Sequence, residues 1–208
     1  MSGVKIAVLV SGGGTNMQAI INEIEKGNIK GNIEIVISSK DTAFALKRAA
    51  DYGIEGVCIG KDNFPDAHKK TEEIIRILEE KKIELVVLAG YMSILDNKLI
   101  EKYRNRMINI HPSLIPSFCG KGYYGTKVHE AALEYGVKVS GATVHFVDEG
   151  TDTGPIILQE AVEVKQDDTA DSLAERVLKV EHRLLPKAVK LFCEGKLIIE
   201  GRRVRIKN

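Results

Sequence analysis

The chain has 208 residues, 44% hydrophobic and 28% charged, the proportions of a packed globular protein, which excludes a disordered or fibrous chain. With 30 Lys and Arg against 29 Asp and Glu its formal charge is +1, so it lacks a general field for holding polyanions and nucleic acid is not an expected partner. Cys58, Cys119 and Cys193 show neither disulfide nor zinc spacing, which fits a reduced, cytoplasmic setting, and no apolar run reaches the ~18 residues of a membrane span.

In chain order, Lys5 to Ser11 is a short β-branched apolar run ended by glycines, which predicts a buried strand. It is too short for the apolar core of a signal peptide. Thr15 to Lys26 follows with Ile20, Ile21 and Ile24 on one helical stripe. Strands are expected at Ile33–Ser39, Gly56–Gly60, Leu85–Ala89 and Met107–Ile110. Helices are expected between them at Ala43–Tyr52, Asp66–Lys82 and Asn97–Tyr103. This alternation predicts an α/β, Rossmann-like, mostly parallel twisted sheet with helices on both faces. Beyond it come a helix at Lys127–Tyr135, strands at Ala142–Val147 and Ile156–Val164 with no helix between, and a long helix at Thr169–Cys193. A hairpin turning at Gly201 closes the tail. Without repeats or a linker, one domain over 1–208 is expected, with halves of about 1–105 and 106–208.

Ser11-Gly12-Gly13-Gly14-Thr15-Asn16 joins the first strand to the first helix. Exposed N–H groups and the helix dipole favour an anion there, and glycines admit its oxygens to the backbone. Met17 stands where the dinucleotide fingerprint needs a third glycine, and the P-loop Lys is missing, so one terminal phosphate fits better than a pyrophosphate. The competing reading is a tight turn with no ligand.

In Met107-Ile108-Asn109-Ile110-His111-Pro112, two polar residues alternate with isoleucines, so Asn109 and His111 share one side of a strand that Pro112 ends. Such a pair suits a carbonyl becoming an oxyanion, with Asn donating and His donating or shuttling a proton. A buried pair satisfied by backbone groups is the alternative. Downstream, Asp148, Glu149 and Asp152 compete as the acid that orders His111 or takes a proton, and position does not choose among them. No metal is expected, since His129, His145 and His182 make no ligand triad with His111 by spacing. Cys119 lacks a nucleophile's signature.

SGGGTN, LAGYMSIL, NIHPSLIPSF, VHFVDEGTDTGPIILQ and VEHRLLP resemble the phosphoribosylglycinamide formyltransferases over about Lys5 to Gly195. The resemblance implies the formyltransferase fold and formyl transfer from 10-formyltetrahydrofolate to glycinamide ribonucleotide in purine synthesis. It implies Asn109, His111 and Asp152 as the catalytic group, with a protonated His111 that Asp152 keeps charged. Gly14, Thr15, Asn16 and Glu181 would hold the ribonucleotide, and Met92, Ser93, Ile94, Leu95, Val147 and Asp152 the folate. His145 would stand behind the site. The implied partners are these small molecules, with no nucleic acid, membrane or metal, for a monomer or homodimer.

Ser93 and Ala67 stand where members often carry Arg, and Cys119 to Val128 is a longer loop than in several. Among related activities, a formyltetrahydrofolate hydrolase is expected to carry an extra N-terminal domain, and a methionyl-tRNA formyltransferase a further C-terminal domain and a basic surface. A Rossmann oxidoreductase is disfavoured by Met17. A non-catalytic phosphate sensor has no use for the Asn/His pair.

Overall fold

The computed structural model describes residues 3–207, which fall into two compact units, Met1–Ile108 and Asn109–Asn208. The first contains β1 (Val4–Val10), α1 (Thr15–Glu25), β2 (Gly31–Ser38), α2 (Phe44–Asp51), β3 (Gly56–Cys58), α3 (Ala67–Glu80), β4 (Leu85–Leu88) and α4 (Asn97–Lys102). β5 (Met107–His111) starts on its last residues and ends in the second unit. There follow α5 (Thr126–Tyr135), β6 (Val139–Phe146), β7 (Ile156–Glu163), α6 (Ala170–Cys193), β8 (Leu197–Glu200) and β9 (Arg203–Ile206).

In the first unit the strand order is β3-β2-β1-β4, and β1 pairs in parallel with both β2 and β4. Strand–helix–strand connections require this parallel arrangement, and burial of both sheet faces explains the unbroken apolar runs. Ile6 through Val10 are fully buried, as are Leu85, Val86 and Val87. Met17 and Ile20 of α1, Ala45 and Ala49 of α2, and Ile74 and Leu78 of α3 supply the facing apolar stripes. Asp66 caps α3 by accepting from the His68 and Lys69 amides, and Asp96 caps α4 through Lys98. The strand expected through Gly60 ends at Cys58, the last of its residues paired with β2.

In the second unit the order is β5-β6-β7-β9-β8. β6 and β7 pair antiparallel from Val139↔Glu163 to His145↔Ile156, which accounts for the missing helix between them. β6 also begins earlier than the local pattern indicates, because β7 supplies ladder partners back to Val139. The tail hairpin forms around Gly201 as expected, and β9 joins β7 in parallel at Ile156↔Arg203. The described residues are thus α/β with nine strands in mixed pairing, agreeing with the expected fold class and adding antiparallel pairs in the second half.

α6 packs against β6, β7 and α5, and its buried residues include Leu173, Val177, Val180, Leu184, Leu185, Ala188 and Val189. The helix continues past Pro186, which is itself buried: tertiary packing holds the helix where one backbone donor is missing. Among the described residues no helix is long and apolar enough to cross a membrane.

Thr169 and Ser172 form a reciprocal capping box at the start of α6, Thr169 Oγ1 accepting the Ser172 amide at 3.2 Å and Ser172 Oγ the Thr169 amide at 3.0 Å. Thr169→Ala is expected to lower unfolding free energy by about 1 kcal/mol, read as a shift in urea midpoint at unchanged slope.

Candidate functional site

At the carboxyl end of β1 the glycine loop enters α1 with Gly14 at φ 74°, and no side chain caps the helix. A Cβ on Gly14 would lie 2.6 Å from the Ala45 Cβ, so handedness and space both restrict this position to glycine. The first turn of α1 has no acidic residue, and Asn16 is buried within it. N–H groups without a side-chain cap or a competing carboxylate make an anion-receptive helix start.

Ser11 does something its place in the motif does not reveal. Its Oγ lies 2.5 Å from Ser39 Oγ and accepts the Met92 amide at 2.8 Å. This ties the end of β1 to the segment after β4 that carries Met92, Ser93, Ile94 and Leu95. Met92 and Ile94 are 53% and 88% exposed, presenting large apolar side chains to solvent, while Ser93 and Leu95 are half-buried.

In the second unit β5 carries Asn109 and His111, β6 carries His145, and the loop before β7 carries Asp152. The structure brings all four together. Asn109 Nδ2 is 3.1 Å from His145 Nε2 and donates to Asp152 Oδ1 at 3.3 Å. His145 Nδ1 donates to the Phe146 carbonyl at 2.8 Å. With Nδ1 so engaged, Nε2 meets the NH₂ end of the Asn109 amide, and this contact orients that amide. His111 Nε2 donates to the Phe118 carbonyl at 2.9 Å, and its Nδ1 lies 3.5 Å from Asp152 Oδ2. Gly120 donates its amide to Asp152 Oδ2 at 3.0 Å.

The electrostatics separate the two titrating groups. Burial pushes the His111 ring below its ordinary range, outweighing the opposing pull of Asp152 and of the Phe118 carbonyl, with His145 adding to the depression. This environment thus favours the neutral form of the ring. The 3.5 Å separation from Asp152, too long for a charge-assisted hydrogen bond, agrees with it. Burial pushes the Asp152 carboxyl up, but the His145 ring, His111 and the Gly120 amide together hold it below the usual carboxylate range. A carboxyl that favours its ionised form thus stands beside an imidazole that favours its neutral form, a pairing suited to proton transfer.

Phe118 and Asp152 both take left-handed backbone angles, φ 48° and 59°. Such residues cost about 1–3 kcal/mol each and persist where their surroundings over-determine them. Here the Phe118 carbonyl is held by His111, and the Asp152 carboxylate by Asn109 and Gly120. Sequence reading missed Phe118 and Gly120 because both act through the backbone. It also missed the hydroxyl hub that fixes the chain after His111. Thr143 Oγ1 donates to the Ser113 carbonyl at 2.6 Å and accepts from the Ile115 amide and from Gln159 Nε2.

Of the remaining residues, Val147 is half-buried at the end of β6, and Glu181 is buried on α6. Cys119 donates to the Pro116 carbonyl, and burial raises its thiol, as does Asp152, which opposes a nucleophilic role. Among the described residues no group of three or more His, Cys, Asp or Glu is arranged to hold a metal ion. A cavity of about 670 Å³ in the first unit, walled by Val57, Cys58, Ile59, Phe64 and Ile77, contains none of the expected site residues. Its rim charges are spent on each other, as in Lys81–Glu55 and Arg76–Glu73.

Comparison with known proteins is consistent across sequence and structure. The family model described as formyl transferase matches residues 4–189. The chain is 44% identical over 191 residues to the trifunctional purine biosynthetic protein adenosine-3 of Homo sapiens, covering 92% of this chain and 18% of that protein. It is 37% identical over 186 residues to phosphoribosylglycinamide formyltransferase of Bacillus subtilis, covering 89% of this chain and 93% of that one. The chain therefore spans less than a fifth of the trifunctional relatives' length. Glycinamide ribonucleotide transformylase 1 from Symbiobacterium toebii is similar at a TM-score of 0.94 and 43% identity, with 100% of this chain and 95% of that chain covered. A formyltetrahydrofolate deformylase from Pseudomonas syringae reaches a TM-score of 0.89 at 26% identity, with 99% and 66% covered.

The depressed His111 ring is expected to titrate below its ordinary 6.5 when followed by NMR of its carbon-bound protons. Asp152→Asn removes the attraction that opposes burial, so the midpoint should move further down; an upward move would overturn this account. For stability the two shifts have the same sign. The unfolded chain takes up protons first, so folding weakens as pH falls below 6.5 for His111 and below 3.8 for Asp152.

Proposed function

The chain belongs to the formyl transferase family, and from that premise we propose that it moves the formyl group of 10-formyltetrahydrofolate onto the amine of glycinamide ribonucleotide in purine synthesis. The observation that carries the reading is the convergence of Asn109 and His111, at the end of β5, with the Asp152 carboxyl. Its support is the 37% identity to a relative of nearly the same extent named phosphoribosylglycinamide formyltransferase.

In this reading Gly14, Thr15 and Asn16 hold the substrate's phosphate and Glu181 its ribonucleotide body. Met92, Ser93, Ile94, Leu95, Val147 and Asp152 contact the folate, whose aromatic surface covers the exposed Met92 and Ile94. The amine nitrogen bonds to the formyl carbon as the carbonyl electron pair moves onto oxygen. Asn109 Nδ2–H and His111 Nε2–H stabilise that oxyanion, in place of their present contacts with Asp152 and the Phe118 carbonyl. The negative charge raises the proton affinity of His111 as it forms. Asp152 takes the proton shed by the amine, directly or through a water. As the oxyanion pair re-forms the carbonyl and the bond from the formyl carbon to N10 breaks, N10 receives the proton that Asp152 took from the amine and the folate leaves. His145 holds the Asn109 amide so that its donors face the reacting oxygen. The setting is cytoplasmic and the partners are small molecules.

The likeness to a protein named formyltetrahydrofolate deformylase raises hydrolysis, with water in place of the amine. Product analysis separates the two: formylated glycinamide ribonucleotide supports transfer, and free formate without it supports hydrolysis.

Loss of one oxyanion donor costs ~10²–10³ in rate, so Asn109→Ala is expected to lower kcat by that order while still binding the ribonucleotide. Near-normal turnover of both Asn109→Ala and His111→Ala in a formyl-transfer assay would falsify the assignment. Inorganic phosphate should compete with the ribonucleotide, and Asn16→Ala should raise its KM more than it lowers kcat.

A further inference from the structure

A loop that receives a phosphate must turn its N–H groups toward the ligand and keep its carbonyl oxygens, which repel an anion, directed elsewhere. All three carbonyls of Gly12-Gly13-Gly14 are occupied, each by a different donor. Gly14 O accepts the Gln18 amide at 2.9 Å within α1, and Gly12 O accepts the Ala45 amide at 3.1 Å from the start of α2. Gly13 O accepts Arg48 Nε at 2.9 Å, also from α2. The last contact is the only one of the three made by a side chain, so it alone is open to substitution without altering a backbone.

Arg48 is held in place on two further sides. Its Nη1 donates to Gln18 Oε1 at 3.3 Å, on α1 just beyond the loop, and its guanidinium carbon stands 5.0 Å from the centroid of the Phe44 ring. One planar group therefore links the glycine loop, the helix it opens and the helix packed behind it. A guanidinium is always charged and weakly hydrated, and its donors sit in a fixed fork. A lysine reaching Gly13 O would keep the charge but lose the simultaneous hold on Gln18. With no acidic residue in the first turn of α1, the cation beside Gly13 meets no fixed negative charge there.

We infer that Arg48 is a positioning residue for the phosphate of the ribonucleotide: it ties the Gly13 carbonyl back against α2, leaves the loop as a donor-only cradle, and adds positive charge one hydrogen bond from it. The inference rests on the phosphate reading of the loop given above, and it assigns Arg48 no contact with the reacting atoms. Its effect belongs in binding of the phosphorylated substrate and not in handling of the folate.

The test uses the full chain with inorganic phosphate as the probe, followed through the backbone amide resonances of Gly12 to Asn16, alongside steady-state kinetics. Wild-type loop amides are expected to shift on phosphate addition. Arg48→Met should weaken phosphate binding about tenfold, on the scale of one charge-assisted hydrogen bond, with Arg48→Lys in between. In kinetics the ribonucleotide KM should rise in parallel, by more than kcat falls, with the folate KM unmoved. Equal phosphate affinity in Arg48→Met and wild type overturns the inference, as does a wild-type loop that ignores phosphate. Equal rises in both KM values also overturn it, because they mark a general structural defect. If phosphate binds in the Arg48-dependent way and no formylated product forms, the substrate reading fails while the role of Arg48 stands.

Discussion

The Asp152 carboxylate is the constraint around which the second unit's site is organised. It lies in a loop, in a left-handed conformation, with a side chain only 10% exposed. A carboxylate so placed is costly unless compensated, and the compensation is what assembles the site. The Asn109 amide, the Gly120 N–H and the faces of His111 and His145 all turn toward it. The same contacts hold the Asp152 carboxyl below its usual range, while burial pushes the His111 ring below its own. An amide donor, an imidazole and a carboxylate gathered in one place can supply what the proposed acyl transfer needs: an oxyanion donor, a proton shuttle and a base.

Backbone groups complete that arrangement. Phe118 accepts from His111 through its carbonyl and Gly120 donates to Asp152 through its amide, so a three-residue stretch of loop holds both members of the pair. That stretch in turn follows Pro112 to Ser117, where Thr143 and Gln159 anchor the Ser113 and Ile115 backbone from β6 and β7. In the first unit the corresponding work falls to Ser11 and α2. The serine fastens the start of the exposed Met92–Leu95 segment, and the helix packs against the glycine loop closely enough to exclude any side chain at Gly14. Both sites are thus local loops braced by distant elements, the usual way a rigid scaffold holds functional residues precisely enough to act.

Much was legible before any coordinates. Every expected helix and strand is present, because long apolar runs bounded by Gly, Pro and capping residues leave little ambiguity. Boundaries that moved, such as those at Gly31, Cys58 and Val139, are set by where a neighbouring strand offers ladder partners, which a local window does not contain. Alternation alone placed Asn109 and His111 on one face, and the two do meet Asp152 together. The depth of burial that lowers the His111 ring is a property of packing, which no local pattern contains.

The sequence by itself determined the α/β class, the glycine turn with its helix start, and the Asn/His pair, since each follows from periodicity or from the backbone demands of Gly and Pro. The resemblance carried by its motifs selected Asp152 over Asp148 and Glu149. Only the tertiary structure decided how the Asn109 amide faces, which carbonyl holds His111, what fastens Met92 to Ser11, and that Arg48 takes up the Gly13 carbonyl. Those contacts join residues distant in the chain through single hydrogen bonds, and no local pattern encodes a bond whose two ends are chosen by packing.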